Sequence, residues 1–413
     1  MKRYLNLIRE DPVWSRVIGF SLVVLLIRIA DAVVSFWVPN LLLDTLHDPV
    51  KMGLVISFQS VVGLGADLIF PNLLKNASVK KLMILGMIMS ALTSVSLLVS
   101  SLTPIMIFFL ISMTIWGLYY ELEIFATYQF IGSTVPIESR SGAWGILGVF
   151  KNLAYFLGPL FATWLLIRGN IETALFTLIL LILAFMLFTF RSKMHDRPLE
   201  PNLNKIKPWQ EIKYWLTLLV HVWPIVIMTL VMGFIDSTFW TTGAVFTEKL
   251  ARVNPLGALF LGFYQLPSLF TGFVVAKIAI SKGKKKFSQK YLFLTGFFLI
   301  LMILSGDILW QLAMVLASSI ALGISYPILD GVFTDIMERL GKEKKHMIGF
   351  TSSIVNVSYI IWPPIAGLLT KNSGERMTFV YMGALTAIVS IFLLIVTPKK
   401  LKLPQTEIGK WKD

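Results

Sequence analysis

Two stretches decide how this chain folds: Asn152-Leu-Ala-Tyr-Phe-Leu-Gly-Pro-Leu-Phe-Ala162 and Asn356-Val-Ser-Tyr-Ile-Ile-Trp-Pro-Pro-Ile-Ala366. They lie 204 residues apart, and the Asn, the Tyr, one Pro and the final Ala coincide. The same offset pairs Gly145 with Gly349 and Gly53 with Gly257, and Asp31 meets Asp236 one residue off it. Each of these aspartates is followed by an aromatic pair, Phe36-Trp37 and Phe239-Trp240. The chain therefore reads as two copies of one unit, and each copy needs about half of its 413 residues.

Composition names the solvent in which those copies fold. Of the residues, 56% are apolar and 15% charged, and the mean hydropathy is +0.76. Soluble domains carry about 25% charged residues, so a soluble enzyme, a coiled coil, a disordered chain and a DNA-binding domain are excluded. A membrane helix needs about 20 apolar residues. Apolar windows bounded by charge, Pro or Gly give twelve spans, near 17–45, 52–74, 81–101, 103–133, 142–167, 172–190, 214–246, 256–280, 290–306, 308–337, 347–370 and 377–397. The expected fold is all-α and integral to the membrane, with twelve helices in two six-helix bundles, 1–190 and 214–413. A polar linker over 191–213 joins them. The basic N-terminal stretch precedes an apolar run too long for a cleavable signal, so it reads as the first span.

The net charge of +14 is a topology signal rather than a nucleic-acid footprint. Loops and tails on the side of the N-terminus hold 29 of the 37 Lys and Arg, against 6 on the other side, with Arg28 and Lys151 inside spans. The positive-inside rule puts the richer side in the cytoplasm. Both termini are then cytoplasmic in a multi-pass protein of the cell (inner) membrane. Six spans per copy is an even number, so the copies enter the bilayer in the same orientation, as parallel repeats do.

The layout resembles the major facilitator superfamily over the whole chain. The resemblance rests on the six-plus-six arrangement, the central cytoplasmic loop and Gly158-Pro159 late in the fifth span. Ala154-Tyr-Phe-Leu-Gly158-Pro159-Leu-Phe-Ala162-Thr163 is similar to that family's antiporter motif, Gly-x-x-x-Gly-Pro-x-x-Gly-Gly, with small residues where further glycines stand. The family's loop after the second span, Gly-x-x-x-Asp-Arg-x-Gly-Arg-Arg, corresponds to Asn72-Leu-Leu-Lys-Asn76-Ala-Ser-Val-Lys80-Lys81. Only its basic pair is kept, and Asn76 replaces the acid. A second register, Gly63-Leu-Gly-Ala-Asp67, keeps the glycine-to-acid spacing without the arginine. The resemblance implies a secondary transporter, not an enzyme, whose first, fourth, seventh and tenth spans line a central cavity.

Ionisable groups at membrane depth are costly and mark pathways. Here they are Arg28, Asp31, Asp67, Glu121, Glu123, Lys151, Asp236 and Asp330, all in spans that the resemblance places at or beside the cavity. They are the expected solute and proton-coupling residues; the plainer alternative is that they pair to fix helix packing. Glu121 and Glu123 project about 200° apart around a helix, so both cannot face one cavity, and either can be the one that does. Trp37, Tyr119, Tyr120, Trp240 and Tyr326 supply rings for a flat or cationic solute, and Gln59 and Gln265 supply amides. Gly158, Pro159 and Pro363 are expected to shape and bend their helices.

Carboxylates outnumber cations inside the spans by four. That favours protons and a small amphipathic or cationic solute, exported in exchange for protons. Proton-coupled uptake is the alternative, and a non-transporting receptor or scaffold is the rival of a different class. The expected unit is a monomer in a lipid bilayer, with no nucleic acid, no cofactor and no metal. There is no cysteine, no His pair with metal-ligand spacing and no phosphate-cradling Gly-rich loop. The absence of cysteine makes the topology directly testable. In intact cells a membrane-impermeant thiol reagent is expected to label Asp48→Cys and Lys371→Cys but not Lys285→Cys, and the opposite pattern would invert the topology.

Overall fold

The computed structural model describes residues 12–74, 77–136, 139–191, 208–278, 283–340, 344–398 and 401–404. The long helices are α1 (Pro12–Leu46), α2 (Pro49–Leu73), α3 (Val79–Leu102), α4 (Met106–Thr134), α5 (Arg140–Arg168), α6 (Asn170–Arg191) and α7 (Pro208–Thr238). After α7 a π-helical turn, Phe239–Gly243, leads into α8 (Ala244–Val253). Then come α9 (Leu259–Gln265), α10 (Ser268–Ile278), α11 (Lys284–Leu301), α12 (Ile308–Leu340), α13 (Lys344–Ser373) and α14 (Glu375–Val396). Helix is the form in which an apolar segment satisfies its own backbone polar groups inside lipid. Among the described residues, eleven helices are long and apolar enough to cross a membrane. The expected span at 256–280 is built from shorter pieces, a 3-10 turn at Pro255–Ala258, α9 and α10. Pro267, which has no N–H to continue the ladder, stands at the break between α9 and α10.

The chain forms two compact units, residues 1–45 with 69–203, and residues 46–68 with 204–413. Most of α2 thus groups with the C-terminal half of the sequence. Contacts inside the second unit give the reason. A Cβ on Gly53 would lie 2.2 Å from the carbonyl oxygen of Pro363, and one on Gly367 would lie 2.2 Å from that of Pro49. The α2 and α13 backbones therefore touch at two levels, as small residues allow in membranes. Lys371 Nζ donates to Asp48 at 2.9 Å beside this contact, and its ammonium holds the Asp48 carboxyl below the usual carboxylate range. The linker expected at 191–213 lies outside the described residues except for Arg191 and the first turns of α7, and Asn76 lies outside them as well.

In the first unit α3 and α6 are joined by hydroxyls, Thr177 donating to Ser94 at 2.9 Å, and α3 meets α4 at Ser100 and Ser112, 3.3 Å apart. α5 lies directly on α1, where a Cβ on Gly158 would be 2.3 Å from that of Ala32. Pro159 and Pro363, the expected bend points, are buried inside the continuous helices α5 and α13. A bend that the sequence analysis did not place occurs in α7 at Val222 (φ −118, ψ 18), two residues before Pro224.

The Gly158 contact has a measurable consequence. Gly158→Leu forces α5 away from α1 and is expected to destabilise the fold by about 1–3 kcal/mol, the usual cost of overpacking. Gly132→Leu, placed where a Cβ meets nothing within 4 Å, is expected to leave the melting temperature unchanged or raised. Thermal unfolding of the two variants in detergent checks the difference.

Candidate functional site

Each half of the sequence holds an aspartate on its first long helix, and each aspartate accepts a hydrogen bond from a tyrosine of the quoted repeat. In the first unit Tyr155 donates to Asp31 at 2.8 Å. In the second, Tyr359, 204 residues on, donates to Asp236 at 2.7 Å. The repeat visible in the sequence is therefore a repeat of chemistry.

The surroundings of the two carboxylates differ. Asp31 Oδ2 also accepts from Tyr120 at 2.8 Å and from Arg28 Nη1 at 3.2 Å, and Oδ1 accepts from Trp116 Nε1 at 3.0 Å. Arg28 and Asp31 are three residues apart on α1, hence on one face. The same guanidinium donates to the Tyr155 hydroxyl at 2.9 Å and, through Nη2, to Glu123. Lys151 Nζ lies 3.5 Å from Glu123 Oε1, and Thr127 donates to that oxygen at 3.3 Å. The Tyr120 ring lies 5.1 Å from the guanidinium carbon, and the Tyr119 ring 6.0 Å from it. α1, α4 and α5 thus bring two cations and two carboxylates together, with no net charge. Arg28, Asp31 and Glu123 are 4%, 1% and 2% exposed. At such burial, loss of one partner leaves an uncompensated charge that costs roughly 3–5 kcal/mol.

Asp236, half-buried on α7, accepts from Tyr264 at 2.5 Å and from Tyr359, and Trp240 is a further hydrogen-bond partner. Among the described residues no Lys, Arg or His bonds it. The repeat shows why. The residue corresponding to Arg28 is Gly233, and the one corresponding to Lys151 is Val355. The space at Gly233 is taken by α13, since a Cβ there would lie 2.0 Å from Ser358 Oγ. A longer side chain would collide with that helix. The π-helical turn begins three residues after Asp236, and such turns recur at functional sites. It places Phe239 in a stack with Tyr264, ring centres 3.8 Å apart, which fixes the ring that donates to Asp236. Trp362 stands where the first unit has Gly158; it stacks on Phe234 at 4.8 Å and donates to Thr238 at 2.6 Å.

The other expected site residues fall in several places. Of the two glutamates, Glu123 joins Arg28, while Glu121 is buried on α4 some 200° around the axis. Asp67 of α2 accepts from Asn356 at 3.0 Å and from Ser352 at 3.5 Å, both on α13. Asp330 is exposed on α12, one turn from the half-buried Tyr326. Gln59 and Gln265 are half-buried on α2 and α9. Two of the expected solute contacts do other work. Trp37 is fully buried and donates to Asn170 at 2.8 Å, so it ties α1 to α6. Tyr119 is fully buried against Arg28. A side chain with no exposed surface has none to offer a solute in this conformation.

Trp116, Tyr155, Tyr264 and Tyr359 were not among the expected site residues. Tyr155 and Tyr359 sit inside the repeat that was read from the sequence, at matching positions, and that coincidence was the available signal. Trp116 shares a helix stripe with Glu123, seven residues on, which was its signal; Tyr264 carried none.

The sequence model of the Major Facilitator Superfamily matches residues 20–342 and 292–413. No curated protein matches the chain. Among solved structures, a POT family transporter in complex with a thioalcohol-conjugated peptide is similar at 13% identity, with a TM-score of 0.74, over 93% of this chain and 96% of that one. The human organic anion transporter MFSD10 (TETRAN) is similar at 17% identity, with a TM-score of 0.64, over 93% and 100%. The nucleoside transporter NupG is similar at 10% identity, with a TM-score of 0.72, over 92% and 100%. Identities this low speak to the fold alone. With the family's sequence model spanning most of the chain and its helical architecture in the structure, this multi-pass membrane protein belongs to the Major Facilitator Superfamily of transporters.

Proposed function

We propose that this transporter couples movement of a small amphipathic or cationic solute to protons, and that Asp236 is the coupling carboxylate. The observation that carries the reading is the asymmetry between the two aspartate centres. Asp31 is matched by a guanidinium and three neutral donors, so its charge is permanently answered. Asp236 has neutral donors only among the described residues, so a proton or a cationic solute group can answer its charge. An uncompensated carboxylate at membrane depth is costly and takes up whichever positive partner reaches it. The Tyr264 and Tyr359 hydroxyls fit both states. They donate to the carboxylate, and by rotation one of them can accept from the acid.

In this reading the carrier works by alternating access in the cell (inner) membrane, with both termini cytoplasmic and as a monomer. Asp330, exposed on α12, is the onward proton carrier, whereas Glu123, which shares its role on sequence grounds, is held by Arg28. Export in exchange for protons is supported by Gly158-Pro159, which is similar to the antiporter motif. Uptake by symport is the second reading, favoured by structural likeness to proteins described as proton-dependent oligopeptide transporters.

Reconstituted vesicles test the assignment, with a solute first found by thermal-shift screening of the purified protein. Asp236→Asn is expected to stay folded and to lose the response of flux to an imposed pH gradient. Asp31→Asn is expected to behave differently, because it leaves Arg28 short of a counter-charge. Its loss should appear as roughly 3 kcal/mol of stability before any change in the pH response. Unchanged proton-driven flux in Asp236→Asn would refute the coupling role. The sign of solute movement against the proton gradient separates export from uptake.

A further inference from the structure

The first unit's cluster has more hydrogen-bond donors than acceptors. Glu123 Oε2 is taken by Arg28, and Oε1 is shared between Thr127 at 3.3 Å and Lys151 at 3.5 Å. A charge-assisted bond is normally about 2.7–2.9 Å, so the Lys151 ammonium is poorly served and keeps N–H groups to spare. Two further donors in the cluster are buried without a partner, Arg28 Nε and the Tyr119 hydroxyl. An unmet buried donor is costly, and both of these belong to the same cluster as Lys151.

That lysine is also the open edge of the cluster. Its side chain is 23% exposed, against 5% for Arg28 and 2% for Glu123. The α5 face leading to it is bare. Gly145 and Gly148 stand six and three residues before Lys151, and a Cβ at either would meet nothing within 4 Å. Residues three apart share a helix face, so Gly148 leaves open the lane along α5 next to Lys151. One turn further on, Tyr155 donates to Asp31.

We infer that Lys151 receives an oxyanion of the transported solute, with Glu123 as its resting counter-ion, so that the solute carries an acidic group such as a carboxylate or a phosphate. An incoming oxyanion brings the acceptors that the cluster lacks and draws Lys151 off its long contact with Glu123, which Arg28 still holds. The inference rests on the reading of the chain as a solute carrier and extends it to an acidic group on the solute. It does not depend on the proton role of Asp236.

The chain has no native cysteine, so Gly148→Cys puts a single thiol in the lane, one turn from Lys151. In purified protein, the anionic sulfonatoethyl methanethiosulfonate is expected to react there several-fold faster, relative to the cationic trimethylammonioethyl reagent, than in a Lys151→Gln background. Lys151→Arg is expected to restore the preference, which separates charge from folding. Three probes with similar aromatic bodies then test recognition. Either 3-phenylpropanoate or phenyl phosphate is expected to slow labelling when Lys151 or Lys151→Arg is present, and not with Lys151→Gln. Phenethylamine is expected to give no Lys151-dependent protection. Which acid protects tells carboxylate from phosphate. Absence of the anionic preference, or protection by neither acid, would overturn the inference. These rates are read at one position in purified protein without a pH gradient or flux, so failure here and failure of the coupling role are read separately.

Discussion

A carboxylate inside a hydrocarbon layer needs a counter-charge, a set of donors or a proton, and the internal architecture of each unit follows from how its aspartate meets that need. Asp31 collects Arg28, Tyr120, Tyr155 and Trp116 from three helices. To bring them together, α5 must lie against α1, and Gly158 permits it by presenting no side chain to Ala32. The short residue and the buried charge are thus one device. A larger residue at 158 would move Tyr155 away from Asp31 and lengthen bonds that have no water to replace them.

The second unit solves the same problem with the opposite choice of glycine. There Gly233 on α7 gives way to Ser358 on α13, and the matching position on α13 carries Trp362. Close approach at Gly233 removes the position from which a cation would reach Asp236. What remains is a carboxylate among hydroxyls and an indole, on a helix whose π-helical turn sets the Tyr264 ring by stacking it on Phe239. The repeat holds one balanced centre and one whose partners, among the described residues, are neutral donors. The proposed proton coupling rests on this division, because a group that is always paired cannot report the pH.

Within the balanced centre the distribution of partners is uneven. Arg28 takes both carboxylates, and Lys151 is left with the longest contact and the most exposure. The cluster is neutral in sum yet presents a positive edge. Electrostatic character at a site is set by which group lies at its mouth and by how well that group is already bonded, more than by the count of charges.

The architecture was legible in the sequence because membrane constraints act on composition and length. Twelve apolar windows, an excess of basic residues on one side and an offset of 204 are local properties of the chain, and they determined helix content, the repeat and the expected orientation. The charged residues of the site were legible for the same reason, since a charge in an apolar span stands out. Their partners were not. Whether Glu121 or Glu123 meets Arg28 depends on the rotation of α4 against α1, and helical spacing alone fixes no rotation between two helices. Tyr264 looks like packing until a carboxylate is seen in front of it, while Trp37 looks like a ligand platform until its burial is known. The break at Pro267 and the π-helical turn after Asp236 come from competition between backbone hydrogen bonding and packing across helices. Tertiary structure alone decided those points, because the energy of a buried polar group depends on atoms brought to it from about thirty to more than a hundred and thirty residues away.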